Sequence, residues 1–244
     1  MRRRHFEVGE TAVTIVAEDR FQEAARASVF RSRETIQRFI ARDPLFRVTL
    51  EPYPCPTDVP PLIARMCASS SKAKVGPMAA VAGAIAEQAV LDMRAAGATQ
   101  AIVDNGGDIA LLLDREASVG LYAGELVQGL GFQCSPREGI FGICTSSATI
   151  GPSISFGISD AATVIAADVT LADACATRLG NLLTSDHDEA MRSALSDVCS
   201  IDGVEGAVAV VGGKIAMKGR LPRLTRMTVP PGKVARIELP APSP

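Results

Sequence analysis

Three short stretches hold the side chains that could do chemistry. The first is "VDNGGDIALLLD", residues 103–114, where Asp104, Asn105, Gly106, Gly107 and Asp108 interrupt an apolar run. The second is "CTSSATIGPS", residues 144–153, with five hydroxyls. The third is "TLADACATRLGN", residues 170–181, which sets Asp173 and Thr177 four residues apart. That spacing puts both on one face of a helix. Both offer oxygen, and a hard cation such as Mg²⁺ takes oxygen ligands, keeps waters and lets ligand phosphates complete its shell. A helix N-terminus also favours a nearby phosphate. The same pattern has a plain structural reading. An acid in a first turn complements the helix dipole, and a mid-helix Thr is commonplace.

The first stretch reads as a hairpin, since Asn-Gly between apolar runs is a strong signal for a tight turn. A two-residue turn needs only one Gly. A second Gly lets another group approach the backbone closely. Asp104 and Asp108 are not expected to be equivalent, and Asp108, just past the glycines, is expected to face a pocket. The hydroxyl-rich stretch can cradle a phosphate with hydroxyl and backbone N–H donors, or it can be a plain exit from a strand. It has neither the P-loop pattern nor a GxSxG elbow. A serine triad also needs a His. The only two are His5 and His187, and His187 lies in an acidic helix start, which argues against a serine hydrolase.

The elements that must hold these stretches follow from periodicity. Residues 5–17 read as a hairpin turning at Gly9-Glu10. Phe21, Ala25, Val29, Ile36 and Ile40 have helical spacing between Glu18 and Asp43. "FRVTLEP" reads as a strand, and "YPCPTDVPP" as a connector ending at a helix start near Pro60-Pro61. A small-residue helix begins after Gly76 and ends at Gly97, with Met78, Val81, Ile85 and Ala89 on one face. "VGLYAGE", "GIFGIC", "DAATVIAAD" and "KVARIEL" are strand patterns, and "GAVAVVGGKIAMKG" is a hairpin around Gly212-Gly213. "DHDEAMRSALSDVCS" is a helix after the one that carries Asp173. No repeat or composition break divides residues 1–244. The expectation is a single α+β domain, a largely antiparallel sheet packed with helices.

Composition excludes several classes. The chain has 244 residues, 47% hydrophobic and 21% charged, with net charge −2. That is globular, and the charge gives no long-range pull toward nucleic acid or an acidic membrane. Aromatics are 4% with no Trp, scarce for a protein that stacks bases. The six cysteines form no CxxC pair and read as reduced, buried thiols. The start "MRRRHFEVGE" has no apolar segment behind it, and no run of eighteen apolar residues exists. A cytoplasmic protein is expected, with no membrane or nucleic-acid partner. The one charge asymmetry is late. From Ala207 onward there are seven Lys/Arg against Glu238 alone. This reads as an edge hairpin guarded by lysines or as a patch for a phosphate-bearing ligand.

Together, "GPMAAVAGAIAE", "VDNGGDIAL", "VGLYAGE", "CTSSATIGPSISFG" and "ADACAT" resemble an uncharacterised cytoplasmic ApbE-like family, over roughly residues 2–220. It is part of the ApbE superfamily, whose characterised members are FAD:protein FMN transferases. The resemblance implies a single ApbE-like (T-fold-like) domain. It implies FAD or a related nucleotide bound with Mg²⁺, with Asp173 and Thr177 on the metal. Gly106, Gly107, Asp108 and Tyr122 would border the flavin, and Thr145, Ser146 and Ser147 would contact the nucleotide. A protein bearing an acceptor Ser or Thr is an implied partner, and a homodimer is compatible with the fold.

The sequence also departs from that pattern. Flavin transferases carry a His before the final apolar strand, and the closer family often has Gly-His-Ser. Here the text is Gly151-Pro152-Ser153. Proline is neither acid nor base, so a proton-transfer role at that position is lost. "GISDAA" replaces the second transferase segment, and Asp160 is the acid that could stand in as a catalytic base. Two readings follow: a Mg²⁺-dependent protein that binds a flavin or similar nucleotide but transfers poorly, or an active transferase attaching FMN to a partner protein.

Overall fold

A computed structural model describes residues 1–123, 126–148, 157–227, 229 and 235–239. The chain opens with the expected hairpin, β1 (Arg2–Val8) and β2 (Thr11–Ala17), whose turn uses Gly9 at φ 55°. The long amphipathic helix follows as α1 (Asp19–Arg42), burying Phe21, Ala25, Val29 and Ile36. "FRVTLEP" is not a strand. Leu45–Val48 forms a short helix, α2, and the chain is irregular beyond it. Tertiary anchoring overrides strand propensity here. Phe46 is buried edge-on against Phe39 at 4.9 Å and Tyr53 at 5.2 Å. The Asp43 carboxylate also accepts from the Leu45 N–H at 3.0 Å, which bends the chain into the turn.

After the connector, α3 (Pro61–Ala73) begins with Pro61 in its first turn. A 3-10 turn (Pro77–Ala80) leads into α4 (Val81–Ala95). Helix α4 buries residues nearly all round, including Gly83, Ala84, Ala86 and Ala89, as its small-residue composition suggests. Strands β3 (Ala101–Asn105) and β4 (Asp108–Leu112) form the central hairpin. β5 (Ala117–Leu121), β6 (Leu130–Cys134), β7 (Ile140–Ser146) and β8 (Ala161–Ala166) follow. Then come α5 (Val169–Leu182), α6 (Asp188–Cys199), the hairpin β9 (Val204–Val211) and β10 (Lys214–Gly219), and finally β11 (Arg223–Arg226) and β12 (Ala235–Glu238).

The strands form two antiparallel sheets. Eight lie in the order β1-β2-β3-β4-β7-β8-β9-β10, and four in the order β11-β6-β5-β12. Alternation along the large sheet divides its side chains between two cores. Val103, Ala110, Cys144, Val164 and Ala209 face the helices. Ile102, Ile109, Ile143, Ile165 and Val208 face the layer of the small sheet. The molecule is one α+β domain, a helical layer and a small sheet on opposite faces of a large antiparallel sheet. Among the described residues no helix is long and apolar enough to cross a membrane.

Candidate functional site

The β3–β4 turn is built differently from a simple Asn-Gly turn. Asn105 pairs with Asp108, so Gly106 and Gly107 are the two central residues. Both have positive φ, 69° and 105°, as a type I′ turn requires. The turn itself therefore accounts for both glycines. Gly106 also has open space where a Cβ would stand. Asp104 ties the turn from within, its Oδ1 accepting from the Gly107 N–H at 2.9 Å.

Register then separates the two aspartates. Asp108 shares the face of Ala110 and Leu112, toward the helices, and Asp104 shares the face of Ile102, toward the small sheet. Asp108 is directly opposite Cys144 on β7, and the Gly107 carbonyl accepts from the Thr145 N–H at 3.2 Å. The hairpin tip and the hydroxyl segment are thus one surface. Thr145, Ser146 and Ser147 are all buried, and the Thr145 hydroxyl meets that of Thr163 at 2.9 Å.

The helix carrying Asp173 arrives on the face of Asp108 and Cys144, opposite the one on which Thr145 and Thr163 meet. Asp173 is not in the first turn of α5. It is the fifth residue, and the N-cap is Asp168, whose Oδ1 accepts from the Leu171 N–H at 2.8 Å. Asp173 is 7% exposed and its Oδ2 accepts from the Gly83 N–H at 2.7 Å. Helix α4 has no side-chain cap of its own. A carboxylate from α5 therefore satisfies one of its unpaired first-turn donors. The reverse also holds. Glu87 on α4 accepts from the Thr170 hydroxyl at 2.6 Å and the Thr170 N–H at 3.3 Å, in the first turn of α5. The two antiparallel helices exchange carboxylates. Gly83 lets the two helices close up, and Gly142 lets α5 close onto β7. A Cβ on Gly83 would meet the Asp173 Cβ at 2.7 Å, and one on Gly142 would meet the Val169 Cα at 2.9 Å. Asn105 joins the hairpin to this clasp, its amide donating to the Ala82 carbonyl at 3.1 Å.

The electrostatics are those of acids crowded away from water. Burial pushes the Asp173 carboxyl up to about 7, against the pull of the Gly83 and Ala82 backbone groups. Burial, and then the Asp173 and Asp104 carboxylates, push Asp108 well above the usual range. Burial likewise raises the Cys144 thiol, which is within hydrogen-bonding reach of Asp108 and 3.6 Å from the Val169 carbonyl oxygen. A cation would offset this repulsion. Its donors here would be the Asp173 carboxylate, which also accepts from backbone groups of α4, and the hydroxyl of Thr177, a half-buried residue one turn further along α5. Among the described residues no three acidic, His or Cys side chains converge as a metal-holding group. The donors present therefore fit a hard cation whose shell waters or a phosphate complete, and do not fit a closed protein cage.

The remaining predicted residues are elsewhere. Tyr122 is half-buried just past β5, in the small sheet. Asp160 precedes β8 at the same end of the large sheet as the hairpin tip. Its Oδ2 accepts from the Gly212 N–H at 2.9 Å, which ties down the β9–β10 turn. Pro152 lies outside the described residues. Sequence reasoning missed Gly83, Glu87 and Asp168, and it read Asn105 through the Asn-Gly turn signal and not as a tie to α4. Only Gly83 carried a local signal, an isolated Gly inside a helical pattern.

Comparison with known proteins gives concordant results. The family model described as "AbpE bacteria" matches residues 1–216. The chain is 50% identical to a UPF0280 protein of Methanocella arvoryzae over 95% of this chain and 94% of that protein. A UPF0280 protein of Methanococcoides burtonii is 47% identical over 91% and 94%. The fold matches the apo crystal structure of the flavinyl transferase ApbE of Pseudomonas stutzeri, with TM-score 0.53 at 11% identity over 89% of this chain and 94% of that one. It also matches the ApbE protein of Thermotoga maritima, with TM-score 0.52 at 13% identity over 89% and 97%.

Proposed function

The chain belongs to the UPF0280 family, matched by the AbpE bacteria model, and on that premise we propose that it binds a flavin or a related nucleotide with Mg²⁺ and transfers flavin poorly. The observation that carries this reading is that Asp108 at the hairpin tip and Asp173 share the helix face of the sheet, with the hydroxyl segment of β7 paired beside that tip. Crowded buried acids are unfavourable unless something positive joins them. Asp173 and Thr177 would hold the cation, which neutralises phosphate charge when bound. Gly106 leaves room for a planar or phosphate group to lie against the turn. Asp108, Thr145, Ser146 and Ser147 would border that ligand, and Tyr122 is proposed to reach it from the small sheet. The fold is shared with a flavinyl transferase, which makes a flavin nucleotide the first ligand to try.

The chain's own residues set limits on the reaction. Gly151-Pro152-Ser153 supplies no proton acceptor through a side chain of Pro152. Asp160 is the acid proposed as a substitute, although one of its oxygens already serves Gly212. The test is calorimetric titration of the purified protein with FAD, with and without Mg²⁺. Saturable binding that needs Mg²⁺ is expected. No heat with FAD, FMN or an adenine nucleotide in the presence of Mg²⁺ would overturn the reading.

A further inference from the structure

The edge of the large sheet farthest from β1 offers a second, independent surface. Among the described residues strand β10 pairs only with β9. Helix α6 runs beside it, and between them lies a groove of about 680 Å³. Its floor is apolar: Met191 and Leu195 are each 1% exposed, and Ala216 packs against the core. Its rim is basic. Lys214 is compensated by the Asp186 carboxylate at 3.4 Å and Asp188 at 3.9 Å. Among the described residues Lys218 has only a neutral partner, the Ser196 hydroxyl at 2.8 Å. Arg192 is exposed and makes no ion pair among the described residues. Two positive charges therefore stand over an apolar floor.

The strand's outer main chain carries hydrogen-bonding groups that an added strand would pair. The Cys199 thiol sits 3.7 Å from the Lys218 carbonyl oxygen and closes one end. Alternation makes the two faces of such a strand different. On the helix side it would meet Lys218 and Arg192. On the other side it would meet Ile215 and Met217, which are 45% and 37% exposed. We propose that this edge takes an extended segment of a partner protein in which acidic residues alternate with apolar ones, added as a ninth strand beside α6. A second copy of β10 fits poorly, because antiparallel self-pairing centred on Ala216 would set Lys214 against Lys218.

The test uses an end-blocked, fluorescein-labelled peptide of alternating Glu and Val, followed by anisotropy on the full chain. Saturable binding is expected. It should weaken about tenfold or more in the Arg192→Glu, Lys218→Glu double variant, whose fold is checked by circular dichroism, and it should weaken as salt rises. The same peptide with alternate backbone amides N-methylated should not bind, because strand addition needs those donors. Equal binding of the methylated peptide would overturn the proposal, and so would the absence of saturation up to about 1 mM. A dimer of the chain that the same double variant dissociates in sedimentation would assign the edge to a second copy, and would also overturn it.

Discussion

At the residue scale, Asp173 carries two tasks. It accepts from the Gly83 N–H at 2.7 Å, and it is the acid proposed for the cation. Asp173→Ala would confuse the two by leaving a buried donor unpaired. Asp173→Asn keeps an oxygen for Gly83 and removes only the charge. Because burial already favours the uncharged carboxyl, we expect the variant to fold with a stability within about 1 kcal/mol of wild type. We expect Mg²⁺-dependent FAD affinity to fall more than about a hundredfold, beyond what outer-shell partners of a metal cost. Equal affinity of variant and wild type by calorimetry would remove Asp173 from the metal. Glu87 separates structure from binding by pH. Burial, only partly offset by the Thr170 hydroxyl, raises its carboxyl. A raised folded value means that the fold favours the protonated form. Its contribution is fully present below the ordinary carboxylate range and is lost as pH rises through the folded value. Glu87→Gln keeps an acceptor for Thr170 and has no charge to lose. Urea unfolding between about pH 4 and pH 8 should show the variant gaining on wild type as pH rises. A constant difference would contradict the assignment.

At the element scale, α4 and α5 hold each other by exchanged carboxylates, at Gly83 and at Thr170. This clasp sets where Asp173 stands relative to the hairpin. Gly83 is the position that tests it. An added Cβ would meet the Asp173 Cβ at 2.7 Å and the Val169 carbonyl at 2.8 Å, so α5 must move or its carboxylate must turn. Gly83→Ala is expected to destabilise by about 1–3 kcal/mol, although alanine is the better helix former. Nucleotide binding should fall with it. A stabilised variant by thermal unfolding would mean that the helices are looser than this contact. The elements themselves were largely legible. The hairpins at Gly9, Gly106-Gly107 and Gly212-Gly213, and the helices α1, α3, α4, α5 and α6, follow from period and from turn residues. The clasp was not, because Glu87 and Asp173 are 86 positions apart and each looks like an ordinary helical acid. The α2 segment was misread because the aromatic contacts of Phe46 are tertiary. β6 and β11 were missed because "LGFQC" and "RLTR" are short and lack a strong alternating pattern, and they are strands through pairing with each other.

At the scale of the molecule, antiparallel pairing gathers the β3–β4 tip, the end of β7, the start of β8 and the β9–β10 tip at one end of the large sheet. Strand order is not written in any local pattern. Family resemblance therefore implied which pieces share the candidate site, and the register sets Asp108 at the hairpin tip opposite Cys144, beside the hydroxyls of β7. It also shows that Asp160 at this end is committed in part to a turn. This bears on the reaction. In the proposed reading, binding uses the hairpin, the hydroxyl segment and the donors of α5. Transfer needs in addition a base that takes a proton from an acceptor hydroxyl near neutral pH, a contribution of typically about 10²–10⁴-fold. Pro152 cannot provide it, and Asp160 can do so only through the oxygen that Gly212 does not hold. We therefore expect FAD to bind with Mg²⁺ while an acceptor domain with an exposed Thr gains no FMN by intact-mass spectrometry after prolonged incubation. Efficient FMN addition would favour the transferase reading. In that event Asp160→Asn decides the base: loss of transfer with FAD affinity kept would place the proton on Asp160, and unchanged transfer would leave the carboxylate as a tie for the β9–β10 turn alone.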